Sequence, residues 1–387
     1  MVRVCSCVLG LLGHCLLVLA ISGCGTPPTI PSQSLPTPAF QVEKLTEGFN
    51  FAVKMAFLPD GRLLVTEKET GYVRLVNADF ALQPQPLVDV AVNAFKERGL
   101  MGLAVHPEVA QNGYVYMYYI ASSTGQDSHD PDEIDNIRIA RFQLGDPAKR
   151  LTTLISLTAR PGPYHNGGCI LFGPDGKLYV SQGELNRNAN IISQIKNSTR
   201  GKLLRYNDDG SIPADNPLGT EQPAYLLGLR NAFGFAFDPL SQHVVVSDNG
   251  PDGHDKLSVA LPGENLGWPL IWGYADTWYE RLLAWLLGQR YRPPFWESFA
   301  QRPVPTAVQV LPDDRYGPAM AGRVLMGAFS EGRILQFALD PATRNRAVGM
   351  GVFLEGYPTI VDLQFGPDGD LYVLTIQALY RIKPVET

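Results

Sequence analysis

The chain has 387 residues, of which 45% are hydrophobic and only 18% charged, with 38 glycines and 31 prolines. This composition provides a large apolar core and many tight turns, so it favours an all-β protein of short strands over a helical one. The formal net charge of −6, with no basic stripe along the chain, argues against a nucleic-acid-binding surface.

The first 23 residues have the pattern of an export signal. Arg3 precedes an apolar stretch at residues 8–21, which is too short for a membrane span. The tripeptide Ile-Ser-Gly before Cys24 resembles a bacterial lipobox, which implies cleavage before Cys24 and lipidation of its thiol. The alternative is an ordinary secretory signal with an incidental cysteine. We therefore predict an exported lipoprotein, anchored on the outer face of the cell membrane or periplasmic.

A tether follows the predicted signal. Residues 24–42 are rich in Pro, Ser and Thr, a composition typical of an extended linker. Beyond it we predict a single domain at residues 43–387. Only one of the five cysteines, Cys169, lies in this domain, so we expect no intramolecular disulfide.

One pattern recurs along the predicted domain. A Pro-Asp-Gly turn between two apolar strands appears at residues 57–66, 172–181 and 365–374, with degenerate copies at Pro107 and Pro239. Proline presets φ, Asp bonds the nearby backbone and Gly adopts the left-handed conformation. Hairpins repeated in this way predict a β-propeller, and a β-sandwich fits less well. The first and last copies would close the ring and bring both termini to one blade.

One segment departs from the strand pattern. Residues 279–289 have the spacing of a short amphipathic helix, and all five tryptophans lie around it at residues 268–296. The simplest interpretation is a loop insertion packed on the propeller rim. The functional alternatives are a lid over the channel mouth or a membrane-contacting patch.

A histidine stands at the entrance to the second turn repeat, in a segment that does not recur. His165 is followed by an amide and two glycines, Asn166, Gly167 and Gly168. A histidine titrates near neutral pH, so it could take a proton from a substrate hydroxyl. The alternative is a local turn whose glycines adopt positive φ.

Two later segments carry further polar candidates. Arg230 and Asn231 lie between glycines ahead of a strand, where Arg230 could stabilise negative charge on a ligand oxygen or bond to loop carbonyls. Residues 247–255 combine carboxylates, an amide and turn carbonyls, which are the oxygen ligands that Ca²⁺ prefers. They lack EF-hand spacing, so a plain polar turn is the alternative.

Together these segments form an ordered series that resembles the soluble PQQ-dependent sugar dehydrogenases, the glucose/sorbosone dehydrogenase family. The resemblance covers residues 49–382, nearly all of the predicted domain. The motifs that carry it are residues 97–107, residues 165–168 with the Gly-Pro-Asp-Gly turn that follows, residues 201–205 and 211–217, Arg230-Asn231, Gly250-Pro251, and residues 262–269.

The resemblance implies a six-bladed propeller that oxidises the C1 hydroxyl of aldose sugars with pyrroloquinoline quinone (PQQ), held by Ca²⁺ at the channel mouth. A small sugar and an external electron acceptor would be its partners. It implies that His165 is the general base and that Arg230 stabilises the reduced quinone. The remaining implied site residues are Asn231 and Asn249 at the cofactor, Glu97 near the sugar, and the carbonyls of Gly250 and Pro251 on calcium.

Several positions depart from the family's pattern. Tyr164 stands where an acidic residue often precedes the base. PQQ is a tricarboxylate, and each charged contact to it that is lost removes about 1.5–3 kcal/mol of binding free energy, unless Arg323 or Arg333 substitutes. The alternative function is a cofactor-free propeller that acts as a carbohydrate- or protein-binding surface lipoprotein. The positions where the family often has a glutamine, a lysine and arginines are here Phe233, Ser330, Thr359 and Val361.

Overall fold

The structure is a computed structural model that describes residues 33–37, 39–146, 151–185, 191–357 and 359–385. The predicted signal segment and Cys24 lie outside the described residues. No helix in these ranges has the length and apolar character that crossing a bilayer requires. The described strands form six sheets, and the predicted all-β, six-bladed β-propeller is therefore confirmed.

Two N-terminal strands come first and join blades that form late in the chain: the short β1 (Gln33–Ser34) and the longer β2 (Phe40–Glu47). The next three blades follow in sequence order, each with four antiparallel strands. Blade 1 contains β3 (Ala52–Phe57), β4 (Leu63–Glu67), β5 (Tyr72–Val76) and β6 (Val88–Asp89). Blade 2 contains β7 (Leu100–Val105), the one-turn helix α1 (Val109–Asn112), β8 (Tyr114–Ser122), β9 (Ile134–Gln143) and β10 (Thr152–Thr158). Blade 3 contains β11 (Ile170–Phe172), β12 (Leu178–Gln182), a 3₁₀ turn (Ile191–Gln194), β13 (Lys202–Tyr206) and β14 (Ala224–Leu226).

The second half of the chain forms the other three blades. Blade 4 contains β15 (Phe235–Phe237), β16 (Val244–Asp248), β17 (Lys256–Ala260), the helix α2 (Trp278–Leu287) with a 3₁₀ turn (Gly288–Arg290), and β18 (Trp296–Glu297). Blade 5 contains β19 (Pro305–Val310), β20 (Val324–Ala328), β21 (Arg333–Leu339) and β22 (Ala347–Glu355), with β1 added in parallel. Blade 6 contains β23 (Ile360–Phe365), β24 (Leu371–Thr375) and β25 (Ala378–Pro384), with β2 as its fourth strand.

Hydrophobic clusters fill the spaces between neighbouring blades, one for each of the six interfaces. Between blades 2 and 3, Tyr118 and Leu178 are fully buried, and between blades 4 and 5 the same holds for Val245 and Phe337. Because both faces of each sheet are covered, strands such as β16 are buried along their whole length rather than at alternate residues. Most first strands contact the first strand of the neighbouring blade, as β3 does with β7 and β23, and together they surround the central channel.

The turn repeats join the first and second strands of their blades. In the copy at Gly173, the amide of Gly176 donates to the Gly173 carbonyl at 2.9 Å, and Gly176 has a φ of 71°. Asp175 accepts a hydrogen bond from the amide two residues later at 3.1 Å. The copies at residues 57–66 and 365–374 make the corresponding bonds. Since these turns all connect first to second strands, they lie on one face of the ring.

The ring closes where β2 pairs antiparallel with β25, so both ends of the domain meet in blade 6, as predicted. The domain begins before residue 43, because Phe40 stacks on Phe353 at a ring distance of 5.1 Å and completes the blade. Part of the predicted tether is also bound: β1 pairs with β22, and Leu35 is 7% exposed. The tether boundary at residue 42 therefore lies inside the folded structure, since apolar side chains of this segment cover blade edges.

The predicted helix at residues 279–289 is confirmed as α2. A capping box starts it, in which Thr277 and Glu280 each bond to the other's backbone amide. Glu280 is the one buried residue of α2, so the helix lies on the propeller surface. Trp278, Trp285 and Leu286 are 68%, 56% and 64% exposed. Its roles as a lid or as a membrane contact stay predictions.

Candidate active site

The candidate site lies on the face of the ring opposite the turn repeats. The connections between blades and the loops that follow second strands both end on this face, around the central channel. Residues far apart in sequence therefore converge there. Glu97, His165 and Arg230-Asn231 come from the connections before β7, β11 and β15, while Lys68, Glu184 and Asn249 follow β4, β12 and β16.

His165 is held by a strained backbone and a buried acid. Its φ of 58° lies in the left-handed region, which is uncommon for a non-glycine residue. Its amide donates to Glu97 Oε2 at 2.7 Å, and its Nδ1 lies 2.8 Å from Glu184 Oε1. Since an ionised carboxylate only accepts hydrogen bonds, we assign the hydrogen to Nδ1. Nε2 then remains as the acceptor nitrogen, which is the arrangement of an oriented general base.

Glu184 is a site residue that the sequence patterns did not single out. Its side chain is 2% exposed, and its amide donates to the Arg230 carbonyl at 2.9 Å. Its Oε2 has no hydrogen-bond partner among the described residues. The acid beside His165 therefore comes from the loop after β12 and not from position 164, which is a tyrosine here. Its only sequence signal is a charged residue immediately after a buried strand.

Glycines permit the close packing around the base. A Cβ on Gly183 would lie 2.0 Å from the His165 carbonyl, and one on Gly167 would lie 2.6 Å from the Ser181 carbonyl. Gly167 also has a φ of 70°. The sequence left open whether residues 165–168 form a local turn or present a base. The structure has the tight turn, and this turn orients the imidazole of His165.

Glu97 and Asn231 form a layer beneath the His165 loop. Glu97 Oε2 accepts the His165 amide and lies 3.5 Å from Asn231 Nδ2. Asn231 Oδ1 accepts the amide of Gly167 at 3.1 Å, and Asn231 is 5% exposed. These two side chains bind blades 2, 3 and 4 together at the channel mouth and fix the position of His165.

Arg230 bonds to its own neighbourhood. Its guanidinium donates to the Asn249 carbonyl at 2.8 Å and lies 5.5 Å from the ring centroid of Trp268. The amides of Arg230 and Asn231 both donate to the buried Asp248, at 2.7–3.1 Å. The alternative role for Arg230, a bond from its side chain to a loop carbonyl, is therefore present. The backbone carbonyl of Arg230 also contacts the Glu184 loop.

The loop after β16 presents oxygen atoms where a cation was predicted. Asn249 Oδ1 is buried without a hydrogen-bond partner among the described residues. The Pro251 carbonyl already accepts the His254 amide at 3.1 Å, and the Gly250 amide donates to Asp255 at 2.9 Å. Burial raises the pKa of Asp255 to about 6. No group of three His, Cys, Asp or Glu side chains suited to a metal occurs within the described ranges, so calcium stays a prediction that depends on carbonyl and amide oxygens.

A cavity of about 200 Å³ opens beside these residues. Its polar side is formed by Glu97, Asn231, Asn249, Lys68 and Lys96. Its other wall is apolar and includes Phe51, Phe233, Val304, Phe329 and Val361. His165 and Arg230 are not part of this lining but contact it through Glu97 and Asn249. A groove of about 380 Å³ between β18 and β21 contains none of the predicted site residues.

The residues that depart from the family's pattern lie partly in the cavity wall and partly outside it. Phe233 and Val361 line the apolar wall directly, while the exposed Ser330 bonds to the Arg302 carbonyl. The suggestion that Arg323 or Arg333 substitutes for missing cations is wrong. Arg323 is 6% exposed beside the start of β20, on the turn-repeat face, and Arg333 pairs with Glu331 at 2.7 Å in the other groove. The cations that do line the cavity, Lys68 and Lys96, were missed because they occur in no recurring motif.

The fold and the site define a six-bladed propeller with a buried histidine–glutamate pair at the channel mouth. The family model for Glucose / Sorbosone dehydrogenase matches residues 49–381, and the chain belongs to this family. The resemblance seen in the sequence is confirmed.

Among its relatives, the chain is similar to aldose sugar dehydrogenase YliI of Escherichia coli (strain K12), with 26% identity over 89% of this chain and 92% of that protein. It is also similar to quinoprotein glucose dehydrogenase B of Acinetobacter calcoaceticus, with 28% identity over 67% of this chain and 59% of that protein. Among solved structures, the PQQ-bound aldose sugar dehydrogenase of Streptomyces coelicolor is 26% identical, with a TM-score of 0.71 over 90% of this chain and 99% of that one.

Proposed function

We propose that this protein is a quinoprotein oxidoreductase that oxidises the C1 hydroxyl of an aldose or a related sugar, with PQQ and Ca²⁺ as cofactors. The observation that carries the proposal is the His165–Glu184 pair, with Nδ1 and Oε1 2.8 Å apart at the channel mouth. The positive φ of His165 costs stability, and so does the 2% exposed Glu184 carboxylate, since one of its oxygens has no partner among the described residues. Such features are typical of functional sites.

The chemistry of the pair follows from its geometry. Nε2 of His165 is available to take the proton of a sugar hydroxyl, while Nδ1 holds its hydrogen against Glu184. Glu184 stabilises the positive charge that then develops on the ring and prevents the imidazole from turning. A bound PQQ would supply the acceptor for the two electrons that leave the C1 carbon.

The residues present fit a planar quinone in part. The phenylalanines of the cavity provide flat apolar surfaces, and Asn231 and Asn249 provide amide groups at its edge. The partnerless Asn249 oxygen and the adjacent carbonyls of Gly250 and Pro251 are suited to a hard cation such as Ca²⁺. Among the described residues, the apolar wall has no cation in its lining, so the carboxylates of the quinone would need partners on the opposite side.

We further propose that the mature protein is exported and held at the outer face of the membrane through Cys24. A lipid anchor there would be its only membrane attachment, and electrons would leave to an external acceptor. Labelling with a radioactive or alkyne fatty acid tests this directly. Cys24→Ser should abolish labelling and release the protein, whereas persistent labelling would contradict it.

Enzyme activity is tested by mixing the purified protein with PQQ and Ca²⁺ and following dye reduction with a panel of aldoses. We expect saturable reduction with at least one sugar. His165→Gln should abolish turnover while PQQ stays bound, and His243→Gln serves as the matched control because His243 lies on the turn-repeat face. No PQQ binding at micromolar concentrations would reject the proposal, and unchanged turnover in His165→Gln would remove His165 as the base.

A second candidate is a cofactor-free propeller that binds a carbohydrate or a protein on the cell surface. The apolar wall of Phe233, Phe329 and Val361 favours it, since these positions give a quinone carboxylate no partner. The two candidates separate in the same experiment. A binding module would retain carbohydrate or protein binding in the absence of PQQ and would show no dye reduction.

A further inference from the structure

We infer that Lys68 and Lys96 form the anion-binding end of the cavity and hold the carboxylates of a planar aromatic polycarboxylate. The inference rests on the proposed function, since PQQ is such a compound, and it deepens it. The cations would come from blades 1 and 2, whereas the positions expected to provide them lie on blades 5 and 6. A ligand in this cavity would then bind with its charged edge toward Lys68 and Lys96.

Lys68 is a buried ammonium at the cavity surface. It is 5% exposed, and it follows β4 directly. It pairs with Glu69, and its Nζ donates to the Ala94 carbonyl at 3.3 Å. An ammonium has three N–H donors, so one donor has no acceptor among the described residues. Its Nζ also lies 5.1 Å from the ring centroid of Phe51, which lines the same cavity.

Lys96 contributes the second charge next to the first. Lys68 bonds to the carbonyl of Ala94, two residues before Lys96, so the two lysines line the same part of the cavity. Lys96 has a φ of 60°, an uncommon conformation for lysine. Its Nζ contacts the Phe95 ring at 5.5 Å and has no hydrogen-bond or ion-pair partner within the described part of the chain. Among the described residues, Lys96 is therefore a cation without a counter-ion beside an aromatic cavity.

The nearby acids are already engaged. Glu69 pairs with Lys68 and lies 3.5 Å from His129, while Glu97 accepts the His165 amide. Glu97 is directed to the base loop, so it does not neutralise Lys96. An incoming carboxylate can therefore bind Lys96 and the remaining Lys68 donor without displacing an existing ion pair. Aromatic rings at the same corner would stack on a flat ligand while the two ammonium groups bind its edge.

The test is a binding titration that does not depend on turnover. The apo-protein is titrated with PQQ at fixed Ca²⁺, and tryptophan fluorescence and quinone absorbance report the dissociation constant. Lys96→Met and Lys68→Met should each weaken binding about tenfold or more, because each removes a charge-assisted hydrogen bond. Lys383→Met is the matched control, since it removes the same charge from a half-buried position on β25, away from the cavity, and it should bind like wild type.

Two comparisons make the result specific. The trimethyl ester of PQQ lacks the carboxylate charges, so wild type and both variants should bind it equally. The affinity for PQQ should also depend less on salt in the variants than in wild type. Because Lys96 is exposed, Lys96→Met should fold even if Lys68→Met does not, and a thermal unfolding curve checks both.

The outcomes are distinguishable. Wild-type binding with unchanged affinity in Lys96→Met would overturn the assignment of the lysines while leaving the proposed function standing. A wild-type protein that does not bind PQQ at micromolar concentrations would overturn both. Weakened binding of PQQ but not of its ester in the lysine variants is the result that we expect.

Discussion

The buried ion pair between Lys54 and Asp362 crosses the seam where the ring closes. The two residues lie on the innermost strands of blades 1 and 6, and their side chains are 6% and 4% exposed. Nζ and Oδ1 are 3.1 Å apart, Oδ2 accepts the Met55 amide at 3.0 Å, and Nζ lies 3.4 Å from the Thr306 carbonyl on blade 5. One pair therefore connects three blades directly below the cavity. We predict that Lys54→Met destabilises the protein more than any exposed lysine substitution.

The magnitude follows from burial. Removing one partner leaves an unpaired buried charge, which costs roughly 3–5 kcal/mol of unfolding free energy. Burial already raises the pKa of Asp362 in the presence of Lys54, and the loss of Lys54 raises that pKa further. The folded variant then binds more protons than the unfolded chain above about pH 4, so its stability falls as pH rises. The penalty of Lys54→Met should consequently be larger at pH 7 than at pH 5.

Urea denaturation, followed by fluorescence and circular dichroism together, measures the effect. Asp362→Asn keeps an oxygen for the Met55 amide, so the double variant Lys54→Met/Asp362→Asn should lie within about 2 kcal/mol of wild type. Lys44→Met, an exposed lysine on β2, is the control. A loss below about 1 kcal/mol in Lys54→Met at pH 7, or a double variant as unstable as the sum of the singles, would refute this reasoning.

Three further predictions concern the site, the N-terminal segment and one buried amine. Glu184→Gln should lower kcat about 10²–10⁴-fold. It should not lower the unfolding free energy, because a buried charge with an oxygen that lacks a partner among the described residues becomes neutral. Dye reduction within threefold of wild type, about 0.6 kcal/mol in activation free energy, would contradict this prediction. Phe40→Ala should cost about 2–3 kcal/mol in urea denaturation through its lost stacking on Phe353, whereas Gln41→Ala, at an exposed position of β2, should not. Burial lowers the pKa of Lys202 to about 7, so the unfolded chain binds more protons than the folded one between about pH 7 and 10. The unfolding free energy of wild type should therefore rise over that range relative to that of Lys202→Met. Unfolding free energies that change in parallel with pH in the two proteins would exclude this.

Much of the fold was predictable because it depends on local chemistry. The Pro-Asp-Gly turns specify their conformation within four residues: Asp175 bonds the backbone two residues on, and Gly176 adopts positive φ. Helix α2 was predictable for the same reason, since its capping residues and its apolar spacing are adjacent in sequence. The start of the domain was harder to place. Residues 33–42 look like a linker, and only their pairing with β22 and β25 shows that they complete two blades.

The residues of the candidate site also fall into those that local sequence revealed and those that it did not. His165, Arg230 and Asn231 stood out because glycines surround them within a short segment. Glu184, Lys68 and Lys96 did not, since each is an ordinary charged residue after a strand or in a loop. Their significance depends on distances such as the 2.8 Å between His165 and Glu184, which no spacing along the chain determines.

The sequence by itself determined the propeller and the family, and it singled out His165 as the candidate base, because turn chemistry and ordered motifs are local properties. Only the tertiary structure decided which acid supports that base, where the domain begins and which cations line the cavity. The physical reason is ring closure: inner strands from six blades place loops that are far apart in sequence around one channel. Charge, burial and hydrogen bonding at that channel are therefore properties of the closed ring.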